Sequence, residues 1–490
     1  MEQILYETQT FCPVCTILDR KGLVLKPAIV VERNEKIYLK CLCDQQHQQT
    51  IETLYCSSNK FFKRMMSYDP VIGTNKLNGN GGIKDIESMG KYINKDDQPE
   101  IAKNPTSSNF ILEFNIFQNQ KFLNDEEIKQ QLLQFQTYYP KNRKFVLKII
   151  ARGCNDIVSI NEKVRFISVQ LKGYAILLEC TLDRLHSIAK LGDSALLGAK
   201  VYPAVKYFLK RGDENHFIRD INNLLNVLRE YSDIQCVVTI AMERKFANLG
   251  EILSLLRKNN TLIRFIVLSL ERPPKELVES LKIKNQLSLD QVFTNNSSTN
   301  NSDIQDTLCC NFNDPYELIQ EIERATDNTI CSDDFFPLNI GQALEPMFNL
   351  MGYGLYSIKP SSYCSFATCL VNTDTVESRP INRLLNFSKL YYDLLPILPN
   401  IEEKIGFFNG LKIKSLLKNC NLPGVPLPNI FDYLTDKSKA ETTRKVIDQT
   451  QILIIHNNMD LASLDLKRRC HCSVETKIKD GYISSCTGCI

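Results

Sequence analysis

Two short groups near the start of the chain have the spacing of metal ligands. Cys12 and Cys15 enclose Pro13 in FCPVC, and Cys41, Cys43 and His47 come one hairpin later in KCLCDQQH. A C-x2-C turn aims two sulfurs at one point, and a Cys/His pair brought in from a second loop completes a tetrahedron. Thiolates with imidazole suit zinc, and an all-sulfur set would hold a single iron. These residues predict a structural metal knuckle with zinc or iron as its occupant. The competing reading is a set of free buried thiols. A structural knuckle does not by itself define a function.

A second group closes the chain. Cys470 and Cys472 form a C-x-C, Cys486 and Cys489 form a C-x2-C, and Asp480-Gly481 marks a turn between two strand-like halves. This is a possible second four-sulfur site on a hairpin, to be weighed against surface thiols. His471, between two of these cysteines, is an alternative ligand. Of the 18 cysteines, five fall in residues 12–56 and four in residues 470–489, so two metal sites at the two ends are expected. Scattered ones such as Cys180 and Cys236 read as core residues.

The elements that would position these groups lie between them. The chain of 490 residues is long enough for about two to four domains, and its 43% hydrophobic and 23% charged content supports an ordinary core. Net charge is only +3, which makes no general case for nucleic acid or anionic membrane as a partner. No apolar run approaches the ~20 residues of a membrane helix. MEQILYETQT lacks the basic and apolar regions of an export signal. The expected setting is the reducing cytoplasm, where cysteines serve metals or cores rather than disulfides. An unknown protein partner is the remaining option, with the oligomeric state left open.

Residues 22–40 read as two strands turning at Arg33-Asn34-Glu35, with an amphipathic piece ending in FFKRMM behind them. Residues 69–108 are rich in Gly, Asn, Lys, Asp and Pro and read as a linker or surface loop. From residue 109 the chain alternates. FILEFNIF, KFVLKIIA, YAILLEC, QCVVTIAM and LIRFIVLSL are strand-like, whereas DEEIKQQLLQFQ, FIRDINNLLNVLREY and ANLGEILSLLRKN have helical period. Short apolar strands between amphipathic helices imply an α/β fold with a parallel sheet, either doubly wound or closed into a barrel. Its ligand end is where strands run out into helices. The expected units are a knuckle domain (1–68), a linker (69–108), an α/β barrel (109–290), a low-complexity loop (291–306), an α/β extension (307–460) and a Cys-rich hairpin (461–490).

The order of these segments resembles the radical SAM family of the archaeal tetraether lipid synthases and related methanopterin-pathway methylases. TQTFCPVC and CLCDQQH are similar to that family's rubredoxin-like knuckle, with Cys43 and His47 one residue further apart than usual. Leu54-Tyr55 through Phe62-Lys63-Arg64 fits the segment after the knuckle. VVTIAMERKFANLGEILSLLRKNNTLIRFIVLSL is similar to a barrel segment of the family. SDDFFPL, YCSFATCLV with RPINRLLNF, and ILIIHNNMD with DLKRRC fit its C-terminal portion. The resemblance covers most of residues 8–489, apart from about 67–108, and implies a partial (β/α) barrel of radical SAM type.

Radical SAM chemistry needs a C-x3-C-x2-C loop after the first barrel strand, where three thiolates hold a [4Fe–4S] cluster whose fourth iron binds S-adenosylmethionine. Here FILEFNIF is succeeded by QNQKFLND, and no cysteine lies between Cys56 and Cys154. The family's additional Cys-rich segment ahead of the barrel is missing. KFVLKIIARGCNDI has nothing like the Gly-Gly-Glu-Pro motif of the SAM pocket. With no cluster expected, the resemblance implies a catalytically inactive relative, a pseudoenzyme that binds or regulates. The alternatives are an enzyme derived from that family, acting by methyl transfer or C–C bond formation on a lipid or pterin-like substrate, and a metal-dependent interaction module.

Other residues carry weaker signals. Gly79-Asn80-Gly81-Gly82 lacks the strand and the Lys-Ser/Thr of a phosphate loop. His186, His216 and His456 have no local partner at metal or triad spacing and read as surface or structural residues. Asp333 and Asp334 read as caps. Lys467-Arg468-Arg469 reads as a solvated basic face. Cys154, Cys364 and Cys369 read as ordinary thiols.

Overall fold

The computed structural model describes residues 2–11, 25–42, 51–68, most of 111–180, 200–208, 214–230, 235–242, 248–270, 314–341, 355–356, most of 360–396, 450–459 and parts of 464–484. It begins with a four-stranded antiparallel sheet in chain order: β1 (Gln3–Phe11), β2 (Leu25–Arg33), β3 (Lys36–Cys41) and β4 (Ile51–Cys56). The β2–β3 turn falls at Asn34 and Glu35, both at positive φ (51° and 60°), the pattern that matches the twist of a two-residue hairpin. In β3, Ile37, Leu39 and Cys41 face the core, and Lys40 turns outward to pair with Glu2 and Glu52. The helix α1 (Asn59–Ser67), capped by Ser58, buries Phe61, Phe62, Met65 and Met66.

The main sheet has 12 strands. Its parallel body is β5 (Ile111–Asn115), β9 (Val146–Ile150), β10 (Ala175–Cys180), β11 (Lys200–Phe208), β12 (Cys236–Met242), β13 (Ile263–Leu270) and β18 (Thr450–Asn457), adjacent in that order. The intervening short hairpin is β6 (Phe117–Gln118) with β7 (Lys121–Phe122), and β8 (Arg143–Lys144) pairs separately with β15 (Leu355–Tyr356). Beyond β18 lies β16 (Ser365–Thr373), antiparallel, with β14 (Phe336–Pro337) and β17 (Val376–Pro380) on its far edge. Beyond β5 lies the C-terminal hairpin, β19 (Val474–Ile478) and β20 (Gly481–Ser484). Among the described residues these two edges do not pair with each other, so the expected α/β class is present without a closed barrel.

Helices α2 (Asp125–Tyr138), α3 (Ile157–Gln170), α4 (Glu214–Arg229) and α5 (Leu249–Lys258) come after β7, β9, β11 and β12. Local chemistry fixes their starts. Asn124 and Glu127 exchange side-chain and backbone bonds of 2.9 and 2.8 Å, a capping box, and Asp156 accepts from the Ser159 amide at 3.1 Å. The helix α6 (Pro315–Ala325) starts at Asp314 with proline in its first turn. The C-terminal part adds α7 (Ile381–Leu384) and α8 (Phe387–Leu394). One face of the sheet packs against helices, as Phe114 on Phe135 illustrates. One continuous core runs from Leu5 in the first sheet to Ile455 in the second.

Candidate functional site

Strand alternation sorts the sheet into two faces. Leu112, Leu147, Ile176, Val238, Leu268 and Leu453 are on the helix side and fully or almost fully buried. Their alternates form a second face that is half-buried at Glu113, Lys148, Val267 and Ile454 and closed at Ile150, Ala241, Ser269 and Ser365. At its β5 side this face is charged. Lys148 lies between Glu113 (2.8 Å) and Glu179 (3.0 Å), one from each neighbouring strand. Burial pulls the ammonium pKa down, but the two carboxylates outweigh it and hold the value above the ordinary lysine range. Lys148 is thus kept protonated, which suits an anchoring ion triplet and not a nucleophilic amine.

At its β16 side the same face ends in a polar row. Ser269, His456 and Ser365 are direct register partners on β13, β18 and β16. The Ser365 hydroxyl is 2.7 Å from His456 Nδ1, and the Asn458 amide donates to Ser269 Oγ at 2.9 Å. This row lies at the carboxyl ends of the parallel strands, where α/β sheets bind ligands.

Just beyond it, a buried polar cluster joins the two sheets. Asp465, with no exposed surface, accepts hydrogen bonds from Tyr6 (2.8 Å), Thr8 (2.7 Å) and Tyr55 (2.9 Å), all on the first sheet. Burial first, and the Asp465 charge second, push the Tyr6 hydroxyl well above the usual tyrosine range. Arg468, 4% exposed, donates to the Asn457 carbonyl at 2.7 Å and lies 5.7 Å over the rings of both Tyr55 and Tyr363. Asn457 in turn donates to the Tyr363 carbonyl, and the Tyr363 hydroxyl to the Tyr55 carbonyl. The Cys364 thiol is raised by burial, against the lowering effect of Arg468. A charge in this position needs partners, because an unpaired buried charge costs several kcal/mol.

Arg468 corrects the expectation of a solvated basic face. The signal for it was present but long-range: an Asp465–Arg468 pair three apart, just after the last parallel strand, with tyrosines far upstream. His456 gains its partner only through strand pairing 91 residues away in sequence. Asp334 does cap, accepting from the Cys331 amide at 2.9 Å, and it also binds Arg383 Nε at 3.0 Å. Cys180 and Cys236 are buried as core residues.

Of the expected metal ligands, Cys41 ends β3 with its side chain buried, and Cys472 is buried with its thiol 3.0 Å from the Val474 carbonyl. Cys12, Cys15, Cys43, His47, Cys470, Cys486 and Cys489 lie outside the described residues, as do the linker at 69–108 and the low-complexity loop. The stems of both N-terminal loops are described. Phe11 pairs with Leu25, and Cys41 pairs with Ile51, so residues 12–24 and 42–50 leave the same end of the first sheet. Leu25, at that end, packs against the cluster of Met459, Leu464 and Cys472. Among the described residues no three His, Cys, Asp or Glu stand together as a metal cage, and no helix is long and apolar enough to cross a membrane.

The segment after β5 is a tight β6–β7 hairpin. Phe117 packs edge-on against Phe122 at 5.1 Å, and Gln120 takes positive φ (62°) at the turn. No protein-family model matches the chain, and no curated protein matches it in sequence.

Proposed function

We propose that this chain is a divergent relative of the radical SAM enzymes that has lost radical chemistry and serves as a binding or regulatory protein. The carrying observation is the hairpin after β5. That is the position at which the family holds its three cluster thiolates, and here Phe117 and Phe122 close a two-residue-strand turn without a cysteine. The strand order supports reading the sheet as a partial barrel. Seven parallel strands adjacent in chain order, with no reversal point, put right-handed crossovers on one face and let the sheet curl the other way.

The terminal cysteines are proposed to hold zinc or iron. The described stems fit that role, since both N-terminal loops spring from one end of the first sheet and Cys472 packs beside Leu25 at the same end. Cys12, Cys15, Cys43 and His47 would bind the metal, whose chemistry would be structural cross-linking of the two loops. The test is anaerobic reconstitution with iron and sulfide. The expected outcome is about one or two zinc or iron per chain, no inorganic sulfide and no 5′-deoxyadenosine from S-adenosylmethionine. Reductive cleavage of S-adenosylmethionine would overturn the proposal.

A further inference from the structure

The inward face of β1 carries hydroxyl side chains in a row. Exposure alternates along the strand from Tyr6 onward, and Tyr6, Thr8 and Thr10 share the covered side. Tyr6 and Thr8 spend their hydroxyls on Asp465, at 2.8 and 2.7 Å. Thr10 is still more enclosed, with 1% of its surface exposed, yet its Oγ1 has no hydrogen-bond partner among the described residues. Such an orphan costs stability, and valine would fill the same space with no polar atom to satisfy. Position sets Thr10 apart from the other unpartnered polar atoms. It is the last but one residue of β1, at the end of the first sheet from which residues 12–24 and 42–50 leave. Cys12 and Cys15 come two and five residues further on in the sequence. Lys26, the register partner of Thr10 on β2, brings an ammonium to the same end.

We propose that the Thr10 hydroxyl donates a hydrogen bond to a metal-bound thiolate of the N-terminal knuckle, and so positions and tunes that ligand without touching the metal. The inference rests on the metal reading of Cys12, Cys15, Cys43 and His47. A threonine hydroxyl has one hydrogen to donate, and a ligating sulfur keeps lone pairs that accept it. Partners of this kind fix a ligand's orientation, and their loss typically lowers metal affinity about 10–100-fold. Three thiolates outweigh the charge of one divalent ion, so the Lys26 ammonium at this end offsets the excess.

The experiment loads the full chain with cobalt(II), whose thiolate-to-metal charge-transfer band reports on the sulfur, and measures zinc affinity by competition with a chromophoric chelator. A hydrogen bond to sulfur lowers the energy of its lone pairs. Thr10→Val is therefore expected to move the band to longer wavelength and to weaken zinc binding about tenfold or more. Thr10→Ser, which keeps the hydroxyl, restores both. Thr8→Val removes a buried hydroxyl from the same side of the same strand and lowers the urea midpoint, but leaves the band in place. An unmoved band in Thr10→Val, or the same shift in Thr8→Val, overturns the inference. A hydroxyl met only by buried water gives the first of these results. A parent chain that binds neither cobalt nor zinc overturns the metal reading itself, so the two failures are told apart.

Discussion

Removing the Asp465 side chain takes the acceptor away from three buried hydroxyl groups. Tyr6, Thr8 and Tyr55 donate to it at 2.8, 2.7 and 2.9 Å, and none of the three can turn to water, since their sheet face is covered. An orphaned buried donor costs about 1–3 kcal/mol. Removing the carboxylate also withdraws a charge that acts on the buried Arg468, and breaking a buried ionic arrangement costs about 3–5 kcal/mol. These terms overlap, so Asp465→Ala is expected to destabilise by about 3–5 kcal/mol, a large share of the roughly 5–15 kcal/mol typical of a folded protein. Asp465→Asn preserves the shape and one acceptor and is expected to cost about 1–3 kcal/mol. Chemical denaturation measures both. Hydrogen exchange then reports where the loss falls, with protection expected to drop first in β1 and β4, because the three hydroxyls that Asp465 binds stand on those strands. A Thr8→Ala, Asp465→Ala double-mutant cycle isolates one bond, with a coupling of about 0.5–3 kcal/mol. Losses under about 0.5 kcal/mol for both single variants, or unchanged exchange in the first sheet, would refute the reasoning.

Two single residues give further outcomes. Asp314 is fully buried and caps α6, accepting from the Ser57 and Tyr316 amides at 2.9 and 2.7 Å, yet burial drives its carboxyl up to about 6. The folded state therefore holds this proton more tightly than the unfolded chain. The group's stabilising contribution is complete below the ordinary value of about 3.9 and is lost as pH rises through about 6. Asp314→Asn keeps a capping oxygen without that titration. Its stability relative to the parent is expected to rise by about 2 kcal/mol between about pH 4 and pH 8, and a pH-independent difference in urea midpoints would contradict this. At Gly250, near the start of α5, an added Cβ would sit inside van der Waals contact of the Ala325 carbonyl oxygen at the end of α6. Gly250→Ala, which helix propensity alone would favour, is instead expected to lower stability by about 1–3 kcal/mol, and a raised melting temperature would disprove the close approach.

The parallel body is largely legible in the sequence because its strands are short apolar runs and its helices keep a clean period, so local pattern and tertiary burial agree at Leu224, Ile252 and Ile266. The β11 strand is not, and Pro203 is the reason, since proline argues against a central strand. The structure accommodates it by register. Pro203 pairs with Leu178 of β10, while the pairing of β11 with β12 begins only at Ala204, so the missing donor falls where that side of the ladder has not yet started. The C-terminal hairpin is legible as two short strands but not as an extension of the main sheet beside β5, because nothing in VETKI names its distant upstream partner, where Val474 meets Ile111.

The same limit explains the site. A serine on β16 and a histidine on β18 become neighbours only when an antiparallel strand is added to the parallel body, and Tyr6 meets Asp465 only when the chain's two ends fold onto one another. Cysteine groups at opposite ends of a sequence therefore need not make separate sites. With Leu25 packed on the cluster of Met459, Leu464 and Cys472, the end of the first sheet that emits the N-terminal loops is also the end that the C-terminal segment reaches. A metal bound there would tie together the same two parts of the chain that Asp465 already joins. Loss of the metal and loss of that carboxylate should then loosen the same interface, by one coordinate bond set or by three hydrogen bonds.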